Sequence, residues 1–217
     1  MKTKLLNNGI MVLDADSHIS KWVEETGKLD HDEGIKKICS LIKPGDVVID
    51  VGANIGSHTT AYLKAVGDGL VYAIEPNKDP LACLIHNCPR AVIISGAAMD
   101  FFGLIRLQRS VNVGATCLDS LPGYDAICFP ISDVVHASKV ALIKFDVEGC
   151  ERFAIRGASR IISRDHPVMI VEVAPGHLAR YGVTTEALLR TIEDLGYKTE
   201  PLHAFDPHQY DLLCTPK

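Results

Sequence analysis

Val47-Val48-Ile49-Asp50-Val51 is a compact, mostly apolar run that ends on Gly52-Ala53-Asn54-Ile55-Gly56, after which Ile55, Thr59, Leu63 and Val66 recur at helical spacing. This order of buried strand, glycine turn and helix constrains the chain more than any other feature. A strand apolar on both sides needs a parallel sheet with helices covering both of its faces.

The alternation continues down the chain. Val71–Ile74 and Ala91–Ile94 read as a second and a third strand. The helix between them carries Leu81, Leu84, Ile85 and Cys88, with Asp79 as its N-cap and Pro80 at its first position. Val140–Val147 reads as the fourth strand, Glu151–Ser163 as a helix with Ile155, Ala158 and Ile162 aligned, and Val168–Val173 as the fifth strand. Leu188, Leu189, Ile192 and Leu195 form a helix stripe closed by Gly196, and the runs Tyr197–Leu202 and Tyr210–Thr215 are expected to pair antiparallel. One α/β domain over residues 1–217 is expected. Residues 1–43, with Ile35, Ile38, Cys39 and Ile42 on one helix face before Pro44-Gly45, read as an N-terminal extension packed on the core. Residues 96–140 read as a variable insertion with strands at Leu104–Gln108 and Cys128–Val135, and long connections of this kind often carry function.

Composition narrows the partners. A net charge of −5 gives no electrostatic reason to expect nucleic acid. The seven cysteines are odd in number and form no C-x-x-C pair, so they are expected as free, mostly buried thiols of a reducing compartment. Asn7, Asn8 and Asp14 break the apolar run that a signal peptide needs, and no stretch approaches the roughly 20 apolar residues of a membrane span. A cytoplasmic protein with neither a nucleic-acid nor a membrane partner is expected, its oligomeric state open.

The glycine turn is the first candidate binding element. A helix N-terminus offers unpaired N–H groups and a partial positive charge, and glycine lets backbone approach a ligand closely. A phosphate suits such a place, and so does the carboxylate of an amino-acid moiety. A dinucleotide site requires G-x-G-x-x-G, but Asn54 stands at the second glycine position, leaving D-x-G-x-N-x-G from Asp50 to Gly56. Glu75, in Ala73-Ile74-Glu75-Pro76-Asn77, falls just past the second strand, where Rossmann-type folds place a carboxylate that accepts hydrogen bonds from two ribose hydroxyls.

The fourth strand supplies three more acids in Ile143-Lys144-Phe145-Asp146-Val147-Glu148-Gly149-Cys150-Glu151. Ligands of open α/β sheets sit outside the carboxyl ends of the strands, so Asp146 and Glu148 are expected to face the crevice shared with Gly52 and Glu75. As an i, i+2 pair they share a direction if the strand reaches that far. Glu151 is expected to be an ordinary acid at a helix N-terminus.

In these segments the chain resembles the FkbM family of S-adenosylmethionine (SAM)-dependent methyltransferases. The matching stretches are Val48–Thr59 (VIDVGANIGSHT), Tyr72–Asn77 (YAIEPN), Asn112–Ala115 (NVGA) and Ile143–Glu151 (IKFDVEGCE), with Pro167–Val173 (PVMIVEV) matching more loosely. The resemblance implies the Rossmann-like class I methyltransferase fold, a mostly parallel seven-stranded sheet with its last strand antiparallel. It implies O-methylation of a hydroxyl on a sugar, a glycan or a secondary metabolite. It places Asp50, Gly52, Asn54 and Gly56 around the methionine part of SAM, Glu75 at the ribose, Ala97 beside the adenine and Asp146 near the sulfonium, with Ala53, Ser57 and Pro76 also counted among the cofactor-binding residues. The loop Ser95–Asp100 is less polar at its entry than the family usually has.

Methyl transfer is an in-line displacement at a carbon on a positively charged sulfur, so the protein's work is mainly alignment. A hydroxyl acceptor gains from a general base. Glu148 is the first candidate and Glu172, at the end of the fifth strand, the second; Asp146 is placed to orient the sulfonium or the acceptor. His58, in the first helical turn beside the glycine turn, reads first as a polar surface residue and second as part of the acceptor side; His177, after the fifth strand on the active face, reads equally as either. Asp146, Glu148 and Glu172 have the chemistry to hold a divalent ion, but no ligand spacing requires it and no metal is expected. Trp22 reads as a packing residue. Two other readings stand beside this one. An NAD-dependent oxidoreductase or epimerase shares the strand–turn–acid layout but lacks the second glycine and a Tyr-x-x-x-Lys pair, and a non-catalytic SAM-binding module would have no chemical need for Asp146 and Glu148.

Overall fold

The computed structural model describes residues 3–14, 18–29, 33–108, 123–206 and 208–217. The chain begins with a small hairpin, β1 (Thr3–Leu5) and β2 (Met11–Leu13), followed by α1 (His18–Thr26) and α2 (Glu33–Cys39). Then come β3 (Val47–Val51), α3 (Ser57–Val66), β4 (Leu70–Glu75), α4 (Lys78–Asn87) and β5 (Val92–Ser95). A second small sheet is formed by β6 (Ala97–Ala98), β7 (Gly103–Gln108) and β8 (Gly123–Phe129), and α5 (Ile131–Val134) leads back to the core. The remainder is β9 (Leu142–Phe145), α6 (Glu151–Gly157), α7 (Ser159–Asp165), β10 (Val168–Val173), α8 (Pro175–Ala179), α9 (Thr185–Asp194), β11 (Tyr197–Asp206) and β12 (Gln209–Pro216).

The main sheet has seven strands in the order β11-β12-β10-β9-β3-β4-β5. The pairs β10–β9, β9–β3, β3–β4 and β4–β5 are parallel, while β12 runs antiparallel to both of its neighbours. Pleating sorts the side chains onto two faces. Ile49, Val51, Ile143 and Phe145 join the cluster that holds Ala154, Ile155, Ile161 and Ile162 of α6 and α7 and Leu188 and Ile192 of α9. Val48, Val71, Ala73 and Leu142 join the opposite cluster, with Ile38 of α2, Tyr62 and Leu63 of α3 and Leu84 of α4. Helices therefore cover both faces, which is why these strands read as continuous apolar runs. The strand order reverses between β3 and β9, the switch point at whose carboxyl ends open α/β sheets bind their ligands.

Local boundaries differ from the sequence expectation in three places. The fourth helix is capped by Asn77, whose side chain accepts from the Asp79 backbone N–H at 3.3 Å, two residues before the expected cap. Cys128–Val135 is no continuous strand: β8 ends at Phe129, and Pro130, which has no N–H for a ladder, leads into α5. The helix expected over Glu151–Ser163 divides at Ala158; Gly157, just before the division, lies against the Met99 backbone, where a Cβ would come within 2.0 Å of the carbonyl oxygen. Trp22 is half-buried in the cluster that joins Val12, Leu13 and Val23 to Ile55 and Cys83, in line with a packing role. The Asn112–Ala115 segment and Cys117 lie outside the described residues.

Candidate active site

The turn after β3 is stitched to β4: the Gly52 and Ala53 N–H groups both donate to the Ile74 carbonyl at 3.0 Å. Gly52 has φ +86°, and a Cβ there would lie 1.7 Å from the Asp146 carbonyl oxygen. A Cβ on Gly56, at φ +98°, would lie 2.6 Å from Cys88 Sγ on α4. Both glycines are thus explained first by chain crossings inside the fold, and ligand approach is not needed to account for them. Asn54, also left-handed at φ 51°, holds the place where a dinucleotide turn carries its second glycine; asparagine is among the few other residues that adopt this conformation readily.

Glu75 closes β4 and is nearly fully buried. Its Oε2 accepts from the Asn54 N–H at 2.9 Å and its Oε1 from the Asn77 N–H at 2.7 Å. Burial raises its carboxyl to about 7, and the two backbone donors oppose that rise. The carboxylate is fixed in direction and retains further lone pairs for a ligand.

Asp50 sits one layer below. It is fully buried, and Oδ2 accepts from Thr59 Oγ1 at 2.6 Å. Burial raises its carboxyl, and the neighbouring Lys144 ammonium opposes the rise. Lys144 is 2% exposed, and its Nζ donates to Asp146 Oδ2 at 2.7 Å. Burial alone would pull the ammonium down; Asp146 and Asp50 hold it above the usual lysine range.

Asp146 and Glu148 follow β9, and Glu148 stands in the left-handed region at φ 57°. A Cβ on the next residue, Gly149, would lie 2.4 Å from the His177 carbonyl oxygen, so the turn presses directly on the start of α8. Glu148 Oε2 consequently comes within 2.9 Å of His177 Nδ1. Neither atom has a hydrogen-bond partner among the described residues. Glu151 Oε1 accepts from the Val147 and Gly149 N–H groups at 3.0 and 3.1 Å, holding the turn in shape. From β10, Glu172 accepts from Gln209 Nε2 at 2.5 Å through Oε1, while its buried Oε2 has no partner among the described residues. Burial raises Glu148 to about 8 and Glu151 to about 7, and the negative charge of Asp146 adds to both. Burial raises Glu172 as well, with Asp146, Glu151 and Glu148 adding to it. His177 is lowered by burial and by Arg180.

Glu75, Asp146, Glu148, Glu172 and Gln209 meet on one cavity of about 290 Å³. Of the residues expected at a cofactor, Gly52, Ala53, Asn54, Glu75, Pro76, Ala97 and Asp146 line it. Asp50, Gly56 and Ser57 stand behind the wall, where they shape the turn. Glu148 and Glu172 line the cavity and so does His58, whereas His177 reaches it through Glu148. Ile19 of α1 and Ile105 and Leu107 of β7 supply apolar wall, so both the N-terminal segment and the 96–140 region border the space.

The chain matches the FkbM methyltransferase domain over residues 50–199. It belongs to the FkbM methyltransferase family. Among solved structures, it resembles the FkbM methyltransferase of Methylobacillus flagellatus, with a TM-score of 0.57 and 20% identity over 79% of this chain and 43% of that one. It therefore spans less than half of that relative's length. It also resembles a SAM-dependent O-methyltransferase of Thermotoga maritima (TM-score 0.58, 14% identity, 95% of this chain and 72% of that one). Aeropyrum pernix fibrillarin, which was solved with natively bound SAM, shares the fold at a TM-score of 0.51 and 19% identity over 80% of this chain and 67% of that one. No curated protein matches the chain. The fold is thus the class I methyltransferase fold, in agreement with the resemblance carried by the strand-end motifs.

Within this FkbM methyltransferase domain, sequence reasoning missed Lys144 and Gln209. The signal that could have found Lys144 is the lysine itself inside an apolar strand run, where it must find buried anions. Gln209 gave no such sign, because its position depends on how β12 pairs with β10.

Proposed function

We propose that this domain binds SAM in the 290 Å³ cavity and transfers its methyl group to a hydroxyl of a sugar, a glycan or a secondary metabolite. The observation that carries the reading is the convergence on one cavity of Glu75, with its two oxygens pinned by backbone donors, and the acid pair Asp146 and Glu148. The donor set fits the cofactor: a directed carboxylate for ribose hydroxyls, apolar wall at Ala97, Ala98 and Met99 for a purine, and acids facing a cationic sulfonium. SAM, when bound, supplies a methyl group on a positively charged sulfur.

The chain's own residues do the rest. Gly52 to Asn54 present backbone at the amino-acid end, Glu75 with Pro76 fixes the ribose, and Asp146 sets the direction of attack. Glu148 takes the acceptor hydroxyl's proton: its carboxyl is raised to about 8, which brings a carboxylate close to the basicity useful at neutral to mildly alkaline pH. Glu172 is the second candidate for that proton. The apolar walls at Ile19, Ile105 and Leu107 exclude water from the reacting atoms. Incubation with methyl-labelled SAM and a panel of hydroxylated sugars and secondary metabolites tests the reading. Label in an ether-linked methyl, lost in Glu148→Gln, supports it; binding of SAM with no transfer to any hydroxyl contradicts O-methylation.

A further inference from the structure

Three ligand-bearing side chains from three different elements meet at the foot of the cavity. Glu148 comes from the β9–α6 turn, Glu172 from β10 and His177 from α8. Their donor atoms all lie within 4.8 Å of one another. Glu148 Oε2, Glu172 Oε2 and His177 Nδ1 are buried, and none has a hydrogen-bond partner among the described residues. Glu172 is 6% exposed as a residue, so its unpartnered oxygen lacks water as well as protein. Burying three such atoms together is costly when the only contact among them is the 2.9 Å approach of Glu148 Oε2 to His177 Nδ1, and a shared cation satisfies all three at once.

We propose that Glu148, Glu172 and His177 bind one divalent first-row ion of the Mn²⁺ or Zn²⁺ class. Two carboxylates and a neutral imidazole balance a charge of +2. The imidazole favours these ions over Mg²⁺ and Ca²⁺, which prefer all-oxygen shells. The 2.9 Å between Glu148 Oε2 and His177 Nδ1 is close to the edge of roughly 3 Å between adjacent ligands at metal bonds of about 2.1 Å. Asp146, which the sequence grouped with Glu148 and Glu172, is replaced in this set by His177, because the buried Lys144 already pairs Asp146 at 2.7 Å. Burial and the neighbouring acids raise Glu148 and Glu172, with Lys144 and Arg180 the cations that oppose the rise of Glu148, while burial and Arg180 lower His177 and so favour its neutral, ligand-competent form.

Glu148 and Glu172 both line the cavity, so the proposed ion lies at its wall. There the ion would hold the acceptor's oxygen and acidify its hydroxyl, leaving Glu148 Oε1 to receive the proton. That role rests on the methyl-transfer reading, whereas binding of the ion does not.

The test is titration of the chelator-stripped full chain with Mn²⁺, followed by loss of the free-ion electron paramagnetic resonance signal, and with Zn²⁺ by calorimetry. Titration with the demethylated cofactor is run alongside on the metal-free protein. The expected result is one ion per chain, weakened at least roughly tenfold in both His177→Ala and Glu172→Gln, with each variant's folding checked by its thermal transition. No uptake by the wild type up to about 1 mM of either ion overturns the site. Uptake that both variants retain unchanged also overturns it. Cofactor binding without metal uptake removes the metal site alone, and metal uptake without cofactor binding removes the methyl-transfer reading while leaving the site.

Discussion

Lys144 Nζ lies 2.7 Å from Asp146 Oδ2, and Asp50 faces the same ammonium from the neighbouring strand. A lysine that is 2% exposed in the centre of a parallel sheet is tolerated only because these carboxylates surround it. Through Asp50 the ammonium ties the end of β3 to β9 and the turn that follows it. Removing the cation leaves two acids facing each other without it. Lys144→Met is expected to lower stability by about 3–5 kcal/mol, the usual cost of breaking one side of a buried ion pair. Urea unfolding measures it, and a loss below 1 kcal/mol would show that the pair is not needed.

Thr59 holds Asp50 from the other side at 2.6 Å. Thr59→Val keeps the shape and removes the donor from a buried carboxylate. The expected cost is about 1–3 kcal/mol, with weaker cofactor binding because the turn loses an anchor. Thermal unfolding together with calorimetry separates the two effects.

Gly52 is constrained by sterics as much as by conformation. Ala at this position would combine φ +86° with a Cβ at 1.7 Å from the Asp146 carbonyl oxygen. Gly52→Ala is expected to destabilise by roughly 3 kcal/mol or more. A variant that melts like the wild type would mean that the β3 and β9 turns are not packed as described.

Stability should depend on pH with a definite sign. Glu75 and Glu151 are raised from 4.5 to about 7 and Glu148 to about 8, so the folded chain binds protons more tightly than the unfolded chain. Their contribution is fully present below about 4.5 and is lost as pH rises to about 8. The melting temperature of the ligand-free, metal-free protein is expected to fall across this window, and Glu148→Gln should flatten the fall. A melting temperature that rises across the same window would contradict the buried-acid arrangement.

Much of this was legible in the sequence because it follows from periodicity and from strand-end motifs. Apolar runs such as Val168–Val173 gave β10 directly, since a doubly covered strand carries no polar alternation. Glu75, Asp146 and Glu148 could be expected to line one cavity because they stand at strand carboxyl ends that share a crevice. What was missed depends on tertiary approach. The place of Gly52 over the Asp146 carbonyl, of Asp50 behind the wall and of Gln209 on Glu172 comes from neighbours distant in sequence. His177 was expected on the active face, but its approach to Glu148 depends on Gly149 letting α8 come close.

The most direct measurement of the central claim is calorimetric titration of the wild type and Glu75→Ala with SAM, its demethylated product and NAD. The account predicts micromolar binding of SAM and its product alone, weakened in the variant by about 1.5–3 kcal/mol for the loss of a charged hydrogen-bond partner. Binding of NAD instead, or of none of the three, would contradict it.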